Sequence, residues 1–157
     1  MNHDIESPLA VCSEIDATRL TDSAHLGMVT DLALHQDELS EISIPQLVNR
    51  VCAAARIHQA RFFFDFKNRP YAYVSWAHFN EQQHRQLLAH NSGELEQPEQ
   101  FFIRRDAPYL WFYDLICPFS SPLQIFKTLK QSMPDFAMAH LLQRSELDKH
   151  KRIRRIW

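Results

Sequence analysis

The stretch Tyr109-Leu-Trp-Phe-Tyr-Asp114-Leu-Ile-Cys-Pro-Phe119 decides the fold, because it is an aromatic-rich apolar run with one carboxylate in its middle. Both alternating sets of positions are apolar: Trp111, Tyr113 and Leu115 in one, Leu110, Phe112 and Ile116 in the other. This pattern predicts a central strand that is covered on both faces. Asp114 is then buried, and an uncompensated buried charge is costly. It must therefore accept hydrogen bonds, for example from backbone amides at the strand end, or take part in chemistry.

The length and composition predict a single globular domain. The chain has 157 residues, of which 45% are hydrophobic and 23% are charged, enough for a substantial core. We expect one domain over residues 1–157, in which residues 1–20 form a loop or a short helix with few structural signals. The two glycines, Gly27 and Gly93, are too few for a Walker or dinucleotide-binding loop.

The three cysteines, Cys12, Cys52 and Cys117, have no metal-ligand spacing and are an odd number. They predict a reducing compartment without a disulfide framework, and no bound metal or cofactor. The N-terminus lacks the basic start and the long apolar region of a secretory signal, and no apolar run is long enough to span a membrane. A cytoplasmic location is therefore expected.

The charge is unevenly distributed along the chain. Residues 1–42 contain nine acidic and one basic side chain, whereas residues 43–157 contain ten acidic and sixteen basic ones. Residues 150–157 concentrate the positive charge, either as a solvated edge strand with Ile153 and Ile156 turned inward or as a site for an acidic partner. A nucleic-acid contact is disfavoured, because no aromatic stacking motif or recognition helix accompanies the basic residues.

Periodicity and turn residues predict the order helix, helix, hairpin, helix, strand, helix, strand, strand. The first helix covers about 24–35, and the second begins at Pro45, with Ser43 or Ile44 as its cap, and ends near His58. The later elements are a hairpin of 61–66 and 71–76, a helix of 79–89, the strand of 109–119, a helix that follows Ser120 and Ser121, and strands of 136–143 and 152–157. This order indicates an α+β fold with a mostly antiparallel mixed sheet flanked by helices.

Four segments resemble the RTX toxin-activating lysine acyltransferases. Pro70-Tyr-Ala-Tyr-Val-Ser-Trp-Ala77 is similar to the family's strand with a proline, a tyrosine and Ser-Trp-Ala, and Trp111-Phe-Tyr-Asp-Leu-Ile-Cys-Pro-Phe119 is similar to its Trp-Phe-x-Asp-x-x-x-Pro-Phe segment. Met133-Pro-Asp135 and the first helix, from Leu26-Gly27, also match in place. The resemblance covers about residues 26–143.

The resemblance implies a GNAT-like fold and a cytoplasmic enzyme that moves a fatty acyl group from acyl carrier protein to internal lysines of an RTX protoxin. It also implies a homodimer. The family's catalytic pair is a histidine after the first helix and an aspartate in the central strand. Asp114 matches the aspartate, and acyl carrier protein and the protoxin are the expected partners. Because acyl carrier proteins are acidic, the candidates to attract the carrier are the basic residues Arg104, Arg105, Lys127, Lys130, Lys151, Arg152, Arg154 and Arg155.

The histidine position departs from the family pattern. An ungapped comparison puts Leu39 there, and the nearest imidazole is His35, four residues earlier. His35 is therefore the candidate base, since His25 lies about 15 Å away along the first helix; the other interpretation is a solvated histidine at a helix C-terminus. Ile42 is in the neighbourhood where the family has a tryptophan, and Leu141 and Leu142 stand where it tends to have an arginine, for which Arg144 is the candidate replacement.

The expected chemistry explains why an imidazole matters. A lysine amine has a pKa of about 10.4 and must lose a proton before it attacks a thioester, which a histidine can accept. An aspartate behind the histidine orients it and stabilises its charged form. Ser75 and Ser40 are lesser candidates for orienting groups. The alternative function is a catalytically impaired relative that binds acyl carrier protein or the toxin without efficient transfer.

Overall fold

The computed structural model describes residues 13–16, 22–39, 42–89, 106–144 and 151–157, which form a mixed six-stranded sheet with helices on both faces. The helices are α1 (Asp22–Leu34), α2 (Ile44–Arg56), α3 (Glu81–Ala89) and α4 (Pro122–Ser132). The strands are β1 (Ser13–Asp16), β2 (Ala60–Phe64), β3 (Pro70–Phe79), β4 (Tyr109–Ile116), β5 (Ala139–Arg144) and β6 (Lys151–Arg155). The predicted α+β class is confirmed.

The strands lie in the sheet in the order in which they occur in the chain. In the described residues, β4 and β5 are parallel and the other neighbouring pairs are antiparallel. In the parallel pair, residues 110–112 of β4 lie beside residues 139–141 of β5. Within the described strands, this pairing does not continue to residues 113–116 of β4. The two strands therefore stop pairing near the middle of β4, close to Asp114.

Two apolar cores lie on opposite faces of the sheet. One core, on the face that we call the α1 face, joins α1, α2 and α3 to the sheet through residues such as Val29, Val51 and Leu87. The other core, on the α4 face, joins α4 to the sheet through Ile125, Phe126 and Leu129. Strand β4 contributes to both cores, so the prediction of a central strand covered on both faces is confirmed.

Side-chain caps set the starts of two helices on the α1 face. Ser43 caps α2 in a capping box with Gln46, and Pro45 lies in its first turn, as the sequence predicted. Asn80 and Gln83 exchange equivalent hydrogen bonds before α3. The prediction that this third helix includes Phe79 was wrong, because Phe79 ends β3 in the α1-face core and Asn80 then caps the helix.

The N-terminal segment contains a strand that the sequence did not predict. Residues 13–16 pair with β2 as the edge strand β1, where a loop or a short helix was expected. Four residues are too few for a clear alternating pattern, and the pairing with β2 supplies the missing stabilisation. Ser40 and Cys12 lie outside the described residues.

The basic C-terminal segment forms the strand β6 at the other edge of the described sheet. Ile153 packs against the α1-face core and Ile156 against the α4-face core, so the predicted inward position of both isoleucines is confirmed. The backbone of Ile156 and Trp157 continues the pairing through Ala139. No helix in the described part of the chain is both long enough and apolar enough to cross a membrane.

A cluster of two histidines and two aromatic rings joins α3 to β4 and β5. Trp111 Nε1 donates to His84 Nδ1 at 3.0 Å, and His84 stacks on Tyr109 with ring centroids 4.0 Å apart. The His140 ring stacks on Trp111 and lies 5.1 Å from His84. Because Nδ1 of His84 accepts this bond, protonation there would break it.

The pKa values of both imidazoles are below their usual range. Burial lowers the pKa of His84, partly opposed by Glu81. Burial lowers the pKa of His140 as well, and the positive charges of His84 and Arg155 add to this effect. The unfolded chain therefore binds more protons than the folded chain below about pH 6.5.

We predict that the free energy of unfolding is highest above about pH 6.5 and decreases as the pH falls from there toward the lowered pKa values of the folded state. Each 1 kcal/mol lost should lower Tm by about 2–4 °C for a chain of this size. Thermal unfolding between pH 7.5 and about pH 5, followed by circular dichroism, measures the effect.

The double substitution His84→Gln and His140→Gln should make the dependence in that range shallower. A slope remains because burial also lowers the pKa of His78, partly opposed by Asp106. The pKa of Asp65 is lowered chiefly by hydrogen bonds from the Arg69 backbone. The stability that the ionised Asp65 contributes is lost only below about pH 4. It therefore does not change with pH in the range where the two histidines affect stability. An unchanged slope in the double variant would contradict the assignment.

Candidate active site

A β-bulge in β4 determines the direction of Asp114. On the neighbouring strand β3, Ser75 lies opposite Asp114 and Trp76 lies opposite Phe112, so β4 has one additional residue, Tyr113, between them. The additional residue shifts the alternation of side chains between the two faces of the sheet. Trp111 and Tyr113 face the α1 side, but after the bulge Ile116 faces that side and Leu115 faces the α4 side. The uninterrupted alternation expected from the sequence was wrong at this point.

The Asp114 carboxylate is held by a hydroxyl group from β3. Its side chain is 5% exposed, and Ser75 Oγ donates to Oδ2 at 2.9 Å. Ser75 is itself fully buried. The prediction that Asp114 is buried is confirmed, and Ser75 is an orienting group for this carboxylate.

Asp114 lines a groove of about 980 Å³ where β4 and β5 part. The walls come from the end of α1 and the turn after it, the second half of β4 with the loop behind it, the start of α4, and β5 and β6. Residues from all of these elements line the groove, among them His35, Asp37, Leu39, Asp114, Cys117, Leu123, Phe126, Leu141, Arg154 and Arg155. The groove therefore has walls on both faces of the sheet.

The groove brings together the two candidate catalytic residues. His35 is exposed directly after α1, and its ring centroid lies 5.0 Å from that of Phe119. Leu39, at the family's histidine position in the ungapped comparison, is half-buried and lines the same groove. His25 lies instead in the α1-face core, with its ring against Phe62 and Tyr73.

Acidic residues line the α1 side of the groove, and the two arginines of β6 line one side each. Asp37 and Asp114 lie on the α1 side, where His35 is also found. Arg154 and Arg155 of β6 are exposed; Arg154 lies opposite Leu141 and Arg155 opposite His140, so the two side chains leave the strand on opposite faces. On the α4 side, Lys127 and Lys130 are exposed as well.

Some of the basic residues expected to attract an acidic partner cannot be placed. Arg104 and Arg105 lie outside the described residues, as do the side chains of Lys151 and Arg152. Arg144, the candidate for the family's arginine, has a described backbone in β5 but no described side chain. Arg154 and Arg155 are the predicted basic residues that line the groove.

Of the cysteines in the described part of the chain, Cys117 lines the groove. Its thiol stays protonated at neutral pH. Burial raises the pKa of this thiol to about 11. A protonated thiol is a poor nucleophile, so Cys117 is unsuited to carry a covalent acyl intermediate.

Sequence reasoning missed the contribution of α4 to the groove. Phe126 is one of the apolar positions of the helix predicted after Ser121, and nothing in the sequence marks it further. In the structure its buried ring lines the cavity. The bulge at Tyr113 was also missed, because no glycine or other local signal marks it. Both features depend on how β4 packs between two layers.

We predict that Ser75→Ala lowers the free energy of unfolding by about 1–3 kcal/mol, because it leaves a buried carboxylate without the hydroxyl that donates to it. Urea unfolding measures the change. Ser132→Ala is the matched control: the Ser132 hydroxyl is hydrogen-bonded but the residue is exposed at the end of α4, so the loss should stay within about 0.5 kcal/mol. Equal losses in the two variants would show that the Ser75 bond contributes no special stability.

Comparison with known proteins identifies the family. The model of the RTX toxin acyltransferase family matches residues 18–157, nearly the whole chain. A search of curated proteins returns no match. The matched region contains every strand and helix after β1, and with them the bulge, Asp114 and the groove. The chain therefore belongs to the RTX toxin acyltransferase family.

Proposed function

We propose that this acyltransferase moves a fatty acyl chain from acyl carrier protein to internal lysine amines of an RTX protoxin, with Asp114 and His35 as catalytic residues. The observation that carries the proposal is that both side chains line one groove, between β4 and the end of α1. Family membership supports acyl transfer in toxin activation. The donor, the lysine target and the residue roles are the proposed parts.

The charge of the groove supports a lysine acceptor. Asp37 and Asp114, two acidic groups against the one guanidinium of Arg155 on the α1 side, would attract an ammonium group. On the α4 side, the apolar wall suits a hydrocarbon chain, while Lys127, Lys130 and Arg154 suit a negatively charged carrier. The two substrates would thus find complementary surfaces at different walls.

The reaction removes two protons from the lysine ammonium. His35 accepts the first proton and releases it to solvent, and the free amine then attacks the thioester carbonyl. As the N–C bond forms and the C–S bond breaks, His35 takes the second proton from the amine nitrogen and gives it to the leaving thiolate, so the products are an amide and a thiol. Asp114 stabilises the imidazolium that forms and orients the ring. Ser75 keeps the carboxylate in position through its hydrogen bond.

A GNAT-like arrangement and a homodimer complete the proposal. Support for the first comes from the parallel pair β4 and β5, which stop pairing beside the bulge. The homodimer and the cytoplasmic location follow from the family resemblance alone. Size-exclusion chromatography with light scattering tests the oligomeric state directly.

We predict that His35→Ala lowers the rate of transfer by about 10²–10⁴, the usual contribution of a positioned base, and removes an inflection near neutrality from the pH–rate profile. Asp114→Asn should also lower the rate by about 10² or more, because the amide keeps the shape but cannot support the imidazolium. Mass spectrometry of lysine acylation in a protoxin fragment measures both rates.

The control is His58→Asn, an exposed histidine beyond α2 that is absent from the groove wall. Asparagine tolerates the left-handed backbone at this position, where φ is 61°. Full activity of His35→Ala would remove His35 from the mechanism. If the wild type is slow and Leu39→His accelerates it, the chain is the catalytically impaired relative and Leu39 is the cause.

We predict that the KM for an acyl carrier protein donor rises with ionic strength, because the proposed contacts are between exposed opposite charges. Arg154→Gln should raise that KM by about two- to fivefold at low salt, as expected for an exposed pair that contributes about 0.5–1 kcal/mol. The effect should be smaller at high salt.

Lys67→Gln is the matched charge deletion, because Lys67 is exposed in the turn between β2 and β3, where it contacts Phe66. Its KM should equal that of the wild type. A KM that is independent of salt, or equal effects of the two substitutions, would contradict docking of the carrier at Arg154.

A further inference from the structure

The α4 wall of the groove is apolar and continuous with a core. Leu115, Leu141 and Ile156 line it and pack against the core of the α4 face. Leu123 stands at the start of α4, where 79% of it is exposed. The wall thus passes from an exposed leucine to side chains that are half-buried or buried.

Phe126 is the groove-lining residue of α4 that also belongs to the buried core. Its side chain is only 6% exposed, and its ring centroid lies 5.1 Å from that of Phe112 in β4. Its neighbours Ile125 and Leu129 are buried in the same core but do not line the groove. A smaller side chain at position 126 would therefore leave space that is continuous with the groove.

Resting on the proposed acyl transfer, we infer that the hydrocarbon chain of the donor lies against the α4 wall and that Phe126 limits the length of chain that fits. An extended apolar chain gains from burial of each methylene, and this wall offers an apolar surface that leads inward from Leu123. The opposite wall also contains apolar residues such as Leu39 and Leu142, but His35, Asp37 and Asp114 there would leave part of such a chain beside charged and polar groups. Phe126 is a specificity-determining residue in this arrangement, with no part in the proton transfers.

Volume changes at position 126 should shift the preferred chain length in both directions. Phe126→Ala and the milder Phe126→Leu enlarge the groove, so the optimum moves to longer chains, whereas Phe126→Trp narrows it and moves the optimum to shorter chains. Each methylene that gains or loses a buried site changes affinity by about fourfold, or about 0.8 kcal/mol.

The experiment compares these variants with the wild type in two assays that use the same chain lengths. The first measures kcat/KM for acyl carrier protein loaded with saturated chains of about 10 to 20 carbons, a span over which one buried methylene per step is resolvable. The second measures stabilisation of the protein by the corresponding free fatty acids in thermal unfolding, which needs no transfer.

Ile125→Ala is the matched control, because it also removes a buried side chain from α4 and the same core without changing the groove. It should lower Tm and leave the preferred length unchanged. The inference is overturned if the folded Phe126 variants keep the wild-type length preference in both assays, or if Ile125→Ala shifts the preference as much. If no donor is a substrate but the fatty-acid assay shows the expected shifts, the proposed function fails and the binding site remains.

Discussion

The additional residue in β4 is the constraint on which the arrangement of the groove depends. With uninterrupted alternation, Asp114 would share a face with Phe112 and point toward the α4 layer. The bulge at Tyr113 turns the carboxylate toward the α1 layer instead, opposite Ser75. One backbone irregularity thereby places a buried negative charge, with a hydroxyl group to hold it, on the side where α1 delivers His35.

The separation of β4 and β5 creates space beside that carboxylate. The two strands share a short parallel register and then stop pairing, and the adjacent walls come from opposite layers. The α1 wall combines apolar side chains such as Leu39 and Leu142 with the acidic Asp37 and Asp114, whereas the α4 wall is mainly apolar apart from Arg154. The proposed transfer of an acyl group to a lysine would need such a groove to hold a cationic amine and a hydrocarbon chain at once.

Leu39 occupies the family's histidine position in the ungapped comparison, and the structure shows how it lies relative to His35. His35 and Leu39 lie on the same wall, with Leu39 packed against the core and His35 exposed beside Phe119. A base at position 35 would need to work from a more solvated place than one at position 39. Family membership rests on a match over residues 18–157, and Asp114 is buried in β4, so neither depends on which residue of the turn supplies a base.

Local patterns in the sequence were sufficient for most elements of the fold. The apolar run around Asp114 predicted a buried strand. The start of α2 was predicted with Ser43 or Ile44 as its cap, and the structure has Ser43 there. The inward isoleucines of β6 were one of two interpretations of the basic C-terminal segment, and the structure agrees with it. The same patterns, together with the family resemblance, predict Asp114 and His35 as catalytic residues. In the structure both residues line one groove. The edge strand β1, the bulge at Tyr113 and the exposure of Phe126 to the groove were decided by tertiary structure. Strand pairing, the phase of a sheet and the shape of a cavity depend on residues far apart in the chain, so no short stretch of sequence determines them.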